Sequence, residues 1–460
     1  MTTNEEARSS ADPHALEYFG TPTEQAGVPF LMDTSQLHKR FLETTGACSD
    51  TRALLPDGMY FALKGPSFDA NLFAAKALAG GCRYAVVDDP TVAVDDRFIV
   101  VPHVLTAMQQ LATYHRRRSS IPVIGITGSN GKTTTKELMH AVLGADRPTL
   151  ATSGNLNNHI GVPLTLLRLR QEHRIAIIEM GANHVGEIAA LTAIAEPTHG
   201  LITNIGKAHL EGFGDYDGVI RAKTEMYAWI RAHDGILFVN GDDPLLMGKS
   251  DGIRREHYGT SGDLDTSGSA LEQGPFLTVA FHGRDHEEHT AHTRLVGDYN
   301  LPNALAAICV GQHFGVADNV IVKALEEYSP SNNRSQFIDT GRNHLVLDAY
   351  NANPSSMALA LRNFAAMPGD RPKVAILGGM KELGEASPME HALVVDLVRE
   401  LGLDAVYVGP EFGAIGDDDI KCYPDATALL AALEHAPLSG KLVLVKGSRG
   451  TKLELVVPGL

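Results

Sequence analysis

Residues 121–137 read IPVIGITGSNGKTTTKE. Val123, Ile124, Gly125, Ile126 and Thr127 form a short apolar run of strand character, and Lys136, Glu137, Leu138 and Met139 then take up helical spacing. Between them lies a glycine-rich turn of Gly128, Ser129, Asn130, Gly131, Lys132, Thr133 and Thr134. Such a turn lets successive backbone N–H groups converge on an anion, and the N-terminus of the following helix adds partial positive charge. Lys132 is then placed to reach the terminal phosphates and Thr133 to ligate Mg²⁺, so the stretch predicts a nucleoside triphosphate site. The spacing is Gly128-x-x-Gly131-Lys132-Thr133; the general phosphate-loop pattern asks for Gly where Ile126 stands.

Outward from this turn the pattern alternates strand and helix. IPVIGIT, TKELMHAVLG, IAIIEMGA, HVGEIAALTAIA, HGLITNIG and GILFVNGDD follow one another. Near-continuous apolar strands separated by amphipathic helices predict a doubly wound, mostly parallel sheet over residues 120–329. The polar, His-rich stretch from Tyr258 to Thr293 reads as a solvent-facing pair of strands and a loop. Its His282, His286, His289 and His292 lack metal-ligand spacing. From 330 to 460 the alternation restarts with HLVLDAYN, KVAILGG, AVYVGP and LVLVKGS, a smaller Rossmann-like domain. Residues 1–119 read as a small mixed α/β domain, and the polar HRRRSSIP before the phosphate strand reads as a linker.

The 460 residues are enough for roughly two to four domains, each with its own core. Lys and Arg total 39 against 55 Asp and Glu, a formal net charge of −16 that disfavours nonspecific nucleic-acid binding. No run of eighteen apolar residues predicts a membrane span, and the first twenty residues, with Glu5, Glu6, Arg8, Asp12 and Glu17, lack signal-peptide order. A cytoplasmic protein is expected. Cys48, Cys82, Cys309 and Cys422 form no metal-spaced pair and read as reduced thiols.

Several polar residues fall where strands should end, the edge at which open α/β sheets place ligands. Glu179 ends IAIIEMGA; a carboxylate there needs a partner if buried, and Mg²⁺ is the one the phosphate turn predicts, with helix capping as the alternative. His209 closes ITNIGKAHLEGFG beside the same site. Lys223, in RAKTEMYAWI, reads on helical spacing alone as a solvated surface lysine, and Asp50-Thr51-Arg52 and Lys64-Gly65 as turn and cap residues.

GITGSNGKTTTKE, SGNLNNHIGVPLTLL, IEMGANHVGEI, ITNIGKAHLEGFG, RAKTE, GDYNLPNALAA, LDAYNANPSSM, LGGMKELG and VKGSRGTKLE occur in an order that resembles the ATP-dependent Mur ligase family over roughly residues 48–455. The phosphate loop alone also resembles the folylpolyglutamate synthetases, which lack the NNxIGVPLT and YNANP blocks. The resemblance implies three domains, at 1–119, 120–329 and 330–460. It further implies ATP and two Mg²⁺ ions, with Lys132 on phosphate and Thr133, Glu179, His209 and a carbamylated Lys223 on metal. Lys132, Lys223 and His209 are the implied catalytic residues. Asn300 and Asn303 match adenine contacts, Arg334 and Asp348 match residues closing over the ATP phosphates and ribose, and Asp50, Thr51, Arg52, Asn158, Tyr350 and Asn351 are implied substrate contacts. Two positions depart from the family pattern: Gly379 where Asp is common, and Asn71 where His is frequent, beside a retained Asp69.

The DAYNANPSSM and MKELG blocks imply addition of D-alanyl-D-alanine to UDP-N-acetylmuramoyl-tripeptide, a reaction that calls for an acyl phosphate. A monomer is expected, with a third domain that swings onto the second to keep water from that intermediate. No Ser/His/Asp or Cys/His arrangement suggests a protein nucleophile. Two other readings stay open at this level: an amide ligase of the same superfamily adding a single amino acid, and a noncatalytic nucleotide-binding scaffold.

Overall fold

The apolar run Val123–Thr127 is a fully buried strand inside a nine-stranded sheet of the computed structural model, which describes residues 32–207, 209–271, 274–284, 287–330 and 334–460. The sequence features of the first twenty residues, and His286, lie outside the described residues. Val123–Thr127 pairs in parallel with Ile175–Glu179 on one side and His199–Ile202 on the other. Thr149–Ala151 forms one edge, and Ile236–Asn240, Arg255–Gly259 and Thr266–Leu271 continue the parallel run beyond His199–Ile202. Chain order reverses at the phosphate strand, which places the carboxyl ends of Val123–Thr127 and His199–Ile202 at a topological switch point.

The stretch from Tyr258 to Thr293 differs from its sequence reading. Thr266–Leu271, Phe276–His282 and Glu288–Val296 extend the main sheet, the last two antiparallel, rather than forming a separate solvent-facing ribbon. Alternate residues Leu277, Val279, Phe281, Ala291 and Leu295 point into the same core as Ile124, Leu138 and Ile177. Phe276–His282 is buried on both faces, Thr278 and Ala280 included, while Glu288–Val296 alternates from Ala291 to Leu295, with His292 and Arg294 exposed and Ala291, Thr293 and Leu295 buried. Helix Leu301–His313 covers this core and is buried on nearly every side.

A second sheet of six strands lies downstream. His344–Asp348, Leu442–Lys446, Lys373–Gly378, Asp404–Val408 and Cys422–Tyr423 are parallel, with Gln336–Asp339 added antiparallel at the edge. In the N-terminal region Ala47–Cys48, Met59–Phe61, Tyr84–Val87 and Phe98–Val100 make a four-stranded parallel sheet. Cys48 and Cys82, distant in sequence, meet here with their sulfurs 3.8 Å apart, both reduced and buried.

The chain divides into two compact units. One comprises the described part of Met1–Ser119 together with His159–Leu169, whose helix Gly161–Leu166 is tied in through Gln109 Nε2 donating to His159 O (3.0 Å). The other comprises Ser120–Asn158 and Arg170–Leu460, so the nine- and six-stranded sheets belong to one unit. Within it, Asn353 Nδ2 donates to Asn130 Oδ1 (2.7 Å), the Lys207 backbone N–H donates to Ser355 Oγ (3.2 Å), and Lys207 Nζ meets Glu390 Oε1 (3.2 Å). Among the described residues no helix is long and apolar enough to cross a membrane.

Candidate active site

The turn after Val123–Thr127 is built where only glycine fits. Gly128 has φ 142° and a Cβ there would lie 2.0 Å from Thr203 Oγ1; Gly131 has φ 78° and its Cβ would lie 2.6 Å from Asn303 Oδ1. The tip of the neighbouring strand holds the turn open: Ser129 N donates to Asn204 O (3.0 Å), Asn130 N to Asn204 Oδ1 (3.0 Å), and Ser129 Oγ to Gly206 O (3.0 Å). Lys132 starts helix Lys132–Gly144, and its Nζ folds back onto Gly128 O (2.6 Å) and Ser129 O (3.3 Å). Burial pushes the Lys132 pKa down; Glu179 opposes this and Arg334, reaching in from the C-terminal part, adds to it.

Glu179 is 1% exposed at the end of its strand. Its Oε1 accepts from Thr133 Oγ1 (3.2 Å) and Asn157 Nδ2 (2.8 Å), and its backbone N–H donates to Thr152 Oγ1 (2.9 Å). Its Oε2 is buried with no hydrogen-bond partner. An unsatisfied carboxylate oxygen in a dry site is costly, and a cation is the partner whose chemistry matches it. Lys223, in helix Tyr216–Ala232, is not a surface lysine: it is 1% exposed, 5.2 Å from the centre of the Phe213 ring, with Nζ 3.4 Å from Ala182 O. Burial and then Lys132 push its pKa down to about 7, against the pull of Glu187 and Glu225. The buried Glu179 oxygen, the Thr133 hydroxyl and a lysine that is partly neutral near pH 7 fit a divalent cation. Among the described residues no three His, Cys, Asp or Glu side chains form such a site by themselves. His209, at φ 52°, has its Nδ1 against Glu382 Oε2.

Asn300 and Asn303 are buried beneath the turn. Asn300 Nδ2 donates to Val296 O (2.9 Å), Asn303 Nδ2 to Asn300 Oδ1 (2.9 Å), and Thr135 Oγ1 to Asn303 Oδ1 (3.0 Å). At the carboxyl edge of the six-stranded sheet, Asp348 Oδ2 holds the buried Lys446 Nζ at 2.5 Å across the parallel register. Tyr350 has the Arg334 guanidinium 3.7 Å and the Arg449 guanidinium 5.5 Å from its ring centre, and Asn351 beside it is exposed. Gly379 leaves space that Glu411 fills: a Cβ at 379 would lie 2.3 Å from Glu411 Oε2, while the other Glu411 oxygen pairs with Lys381. Asn158 is exposed on the segment that carries Asn157.

In the N-terminal unit, Asp50 and Arg52 form a bidentate pair (2.7 Å between Nη2 and Oδ2) on an exposed turn with Thr51 between them, and that pairing holds the Asp50 pKa down to about 2. Asn71, 1% exposed, bridges Asp69 Oδ1 (2.7 Å) and Asp88 Oδ1 (2.8 Å), and Lys64 Nζ meets Asp88 at 3.0 Å. Asn71 thus satisfies two carboxylates from a fully buried position.

Residue reading passed over Asn157, Asn204, Asn353, Glu382 and Lys446. Asn157 stood in the quoted NLNNHIG block, and Lys446 ends an apolar strand as Glu179 does, which is the signal that could have singled it out. Asn353 and Glu382 stood in the quoted LDAYNANPSSM and LGGMKELG blocks, but their partners lie more than a hundred residues away and no local spacing points to them.

Residues 126–311 match the Mur ligase middle domain and residues 333–449 the Mur ligase, glutamate ligase domain. The UDP-N-acetylmuramoyl-tripeptide–D-alanyl-D-alanine ligase of Bacillus subtilis is 35% identical over 430 residues, covering 90% of this chain and 93% of that protein. A crystal structure of MurF from Acinetobacter baumannii superposes with a TM-score of 0.80 at 32% identity, over 94% of this chain and 99% of that one. The MurF ligase from Thermotoga maritima, solved in complex with ADP, does so with a TM-score of 0.80 at 27% identity, over 91% and 97%. With the turn, the carboxyl-edge cluster and full-length similarity in agreement, the chain belongs to the Mur ligase family, among its UDP-N-acetylmuramoyl-tripeptide–D-alanyl-D-alanine ligases.

Proposed function

We propose that the chain joins D-alanyl-D-alanine to the tripeptide of UDP-N-acetylmuramoyl-tripeptide with ATP, in the cytoplasmic assembly of a peptidoglycan precursor, as a monomer. The observation that carries this reading is Glu179 Oε2, buried without a partner one hydroxyl away from the phosphate turn. The turn itself, Gly128 to Thr134, takes the triphosphate on its N–H groups, with Lys132 released from Gly128 O and Ser129 O to contact the phosphates.

A carboxylate is a poor electrophile, so its oxygen first attacks the γ-phosphorus and the bond to ADP breaks, giving an acyl phosphate. The neutral dipeptide amine then attacks the carbonyl carbon, its nitrogen gives up one proton to solvent, and the C–O bond to phosphate breaks, leaving the amide and inorganic phosphate. Both steps gather negative oxygens at one place, and fixed positive charge aimed there supplies most of the rate. Two Mg²⁺ ions held by Thr133, Glu179, His209 and carbamylated Lys223 would supply part of that charge. A lysine must be neutral to take up CO₂, and a pKa of about 7 leaves a large neutral fraction at physiological pH. As the carbamate it becomes an anion that draws a cation instead of repelling it.

The division of labour follows domains at 1–119, 120–329 and 330–460. The first takes the UDP-sugar end with Asp50, Thr51 and Arg52, the second takes ATP with Asn300 and Asn303 under adenine and offers Asn158 to substrate, and the third brings Arg334, Asp348, Tyr350 and Asn351. Water is kept from the acyl phosphate by docking of the third on the second. The test is ADP release by purified protein given ATP, Mg²⁺ and the UDP-linked tripeptide. Turnover is expected with D-alanyl-D-alanine and not with single amino acids; no peptide bond formed with the dipeptide overturns the reading.

A further inference from the structure

We infer that Glu382 is a positioning residue of the ligase site, supplied by the C-terminal part of the chain: its carboxylate takes the Nδ1 edge of His209 and leaves Nε2 as the ring nitrogen able to bind a cation. The inference rests on the ligase reading and goes beyond it. The contact joins residues far apart in sequence, one in the loop after strand His199–Ile202 and one in the loop after Lys373–Gly378. Both hold left-handed backbone, φ 52° at His209 and φ 65° at Glu382, and neither is glycine. Such strain persists where surrounding structure imposes it, and it concentrates at functional sites.

The contact does not offset that strain. Its side chains are 20% and 54% exposed, and a pair so open to water adds little to stability. What it does is occupy one edge of the ring: a carboxylate set against Nδ1 leaves Nε2 as the nitrogen open to a cation, the arrangement by which an outer carboxylate orients a metal-binding imidazole.

The supporting loop is rigid. Met380 N donates to His391 Nε2 (2.9 Å), Lys381 N to Ser448 Oγ (3.1 Å), Lys381 Nζ pairs with Glu411, and Leu383 is buried. On the other side, Gly206 N donates to Ser129 Oγ (2.9 Å), which joins the His209 loop to the phosphate turn. A carboxylate carried by one lobe thus orients a ring carried by the other, so the site is complete only when the two are docked.

A double-mutant cycle tests this, with E382Q and E382D made in wild type and E382Q also in H209A. The readouts are kcat and KM for D-alanyl-D-alanine, and separately the calorimetric affinity for ADP with and without Mg²⁺. E382Q is expected to lower kcat by about tenfold, with KM little changed, and to weaken Mg²⁺-dependent ADP binding. Neither loss should recur in the H209A background, and E382D should restore most of both. Equal losses in the two backgrounds, or no loss in wild type, overturn the inference. A wild-type enzyme that joins no peptide bond would instead overturn the ligase reading, and the ADP-binding cycle would still report on Glu382.

Discussion

Lys223 shows how far an environment can move a residue from its sequence reading. Helical spacing places it as readily on a surface, yet it is buried with its pKa near 7. Because the unfolded lysine titrates near 10.4, the unfolded chain binds more protons between about pH 7 and 10, and stability must rise with pH across that window. In CO₂-free buffer, denaturant unfolding is expected to show a slope of up to about 1.4 kcal/mol per pH unit from this group. K223M should flatten that slope while abolishing turnover; an unchanged slope would mean that the lysine is not held neutral. Gly379 poses the opposite case, a missing side chain. Glu411 occupies the space, so G379D alone is expected to cost about 1–3 kcal/mol by crowding a second carboxylate against the first. G379D with E411A should recover most of that loss in thermal unfolding, because the carboxylate at 379 then stands beside Lys381 in place of Glu411.

At the scale of the element, the His-rich stretch after Tyr258 carries the lesson. Its composition is polar, yet Leu277, Val279 and Phe281 of its central strand enter the main core, and Thr278 and Ala280 on that strand's other face are buried as well. Phe281→Ala is therefore expected to lower stability by about 3–5 kcal/mol, as for a large aromatic in a packed core. A loss below about 1 kcal/mol would return the stretch to the status of a surface ribbon. The phosphate strand needed no such correction. Five consecutive buried residues followed by a turn of obligatory glycines and a helix are a local pattern, and neighbouring strands only confirm the burial that the run implies.

Across the whole molecule, function depends on contacts between lobes that share no sequence neighbourhood. Asn353 on Asn130, Lys207 on Ser355 and Glu390, and Glu382 on His209 hold residues 330–460 against the phosphate turn. Each is polar and several are half exposed, so each is individually weak and the docked arrangement is expected to be reversible. Spectroscopic labels on the helices Asp318–Glu327 and Ala426–His435 should report a shorter, narrower distance distribution with ATP and UDP-tripeptide than without. N353A should shift the ligand-free population toward longer distances; identical distributions with and without ligands would rule out hinge motion.

The alternation of strands and helices, the phosphate turn and the residue types at strand tips were determined by the sequence by itself. Those features depend on local spacing: apolar runs of strand length, glycines where the turn requires them, Lys132 and Thr133 at the start of a helix, and Glu179 at the end of its own apolar run. The tertiary structure alone decided which face of 266–296 is buried, that Lys223 loses its charge readily, that Asn157 rather than its neighbour holds Glu179, and that His209 meets Glu382. The physical reason is the same in each case. Burial, a shifted pKa and an orienting hydrogen bond are properties of what surrounds a side chain, and those surroundings come from other elements of the chain, 22 residues away for Asn157 and Glu179 and far more for His209 and Glu382, brought together only by the packing of sheets and helices.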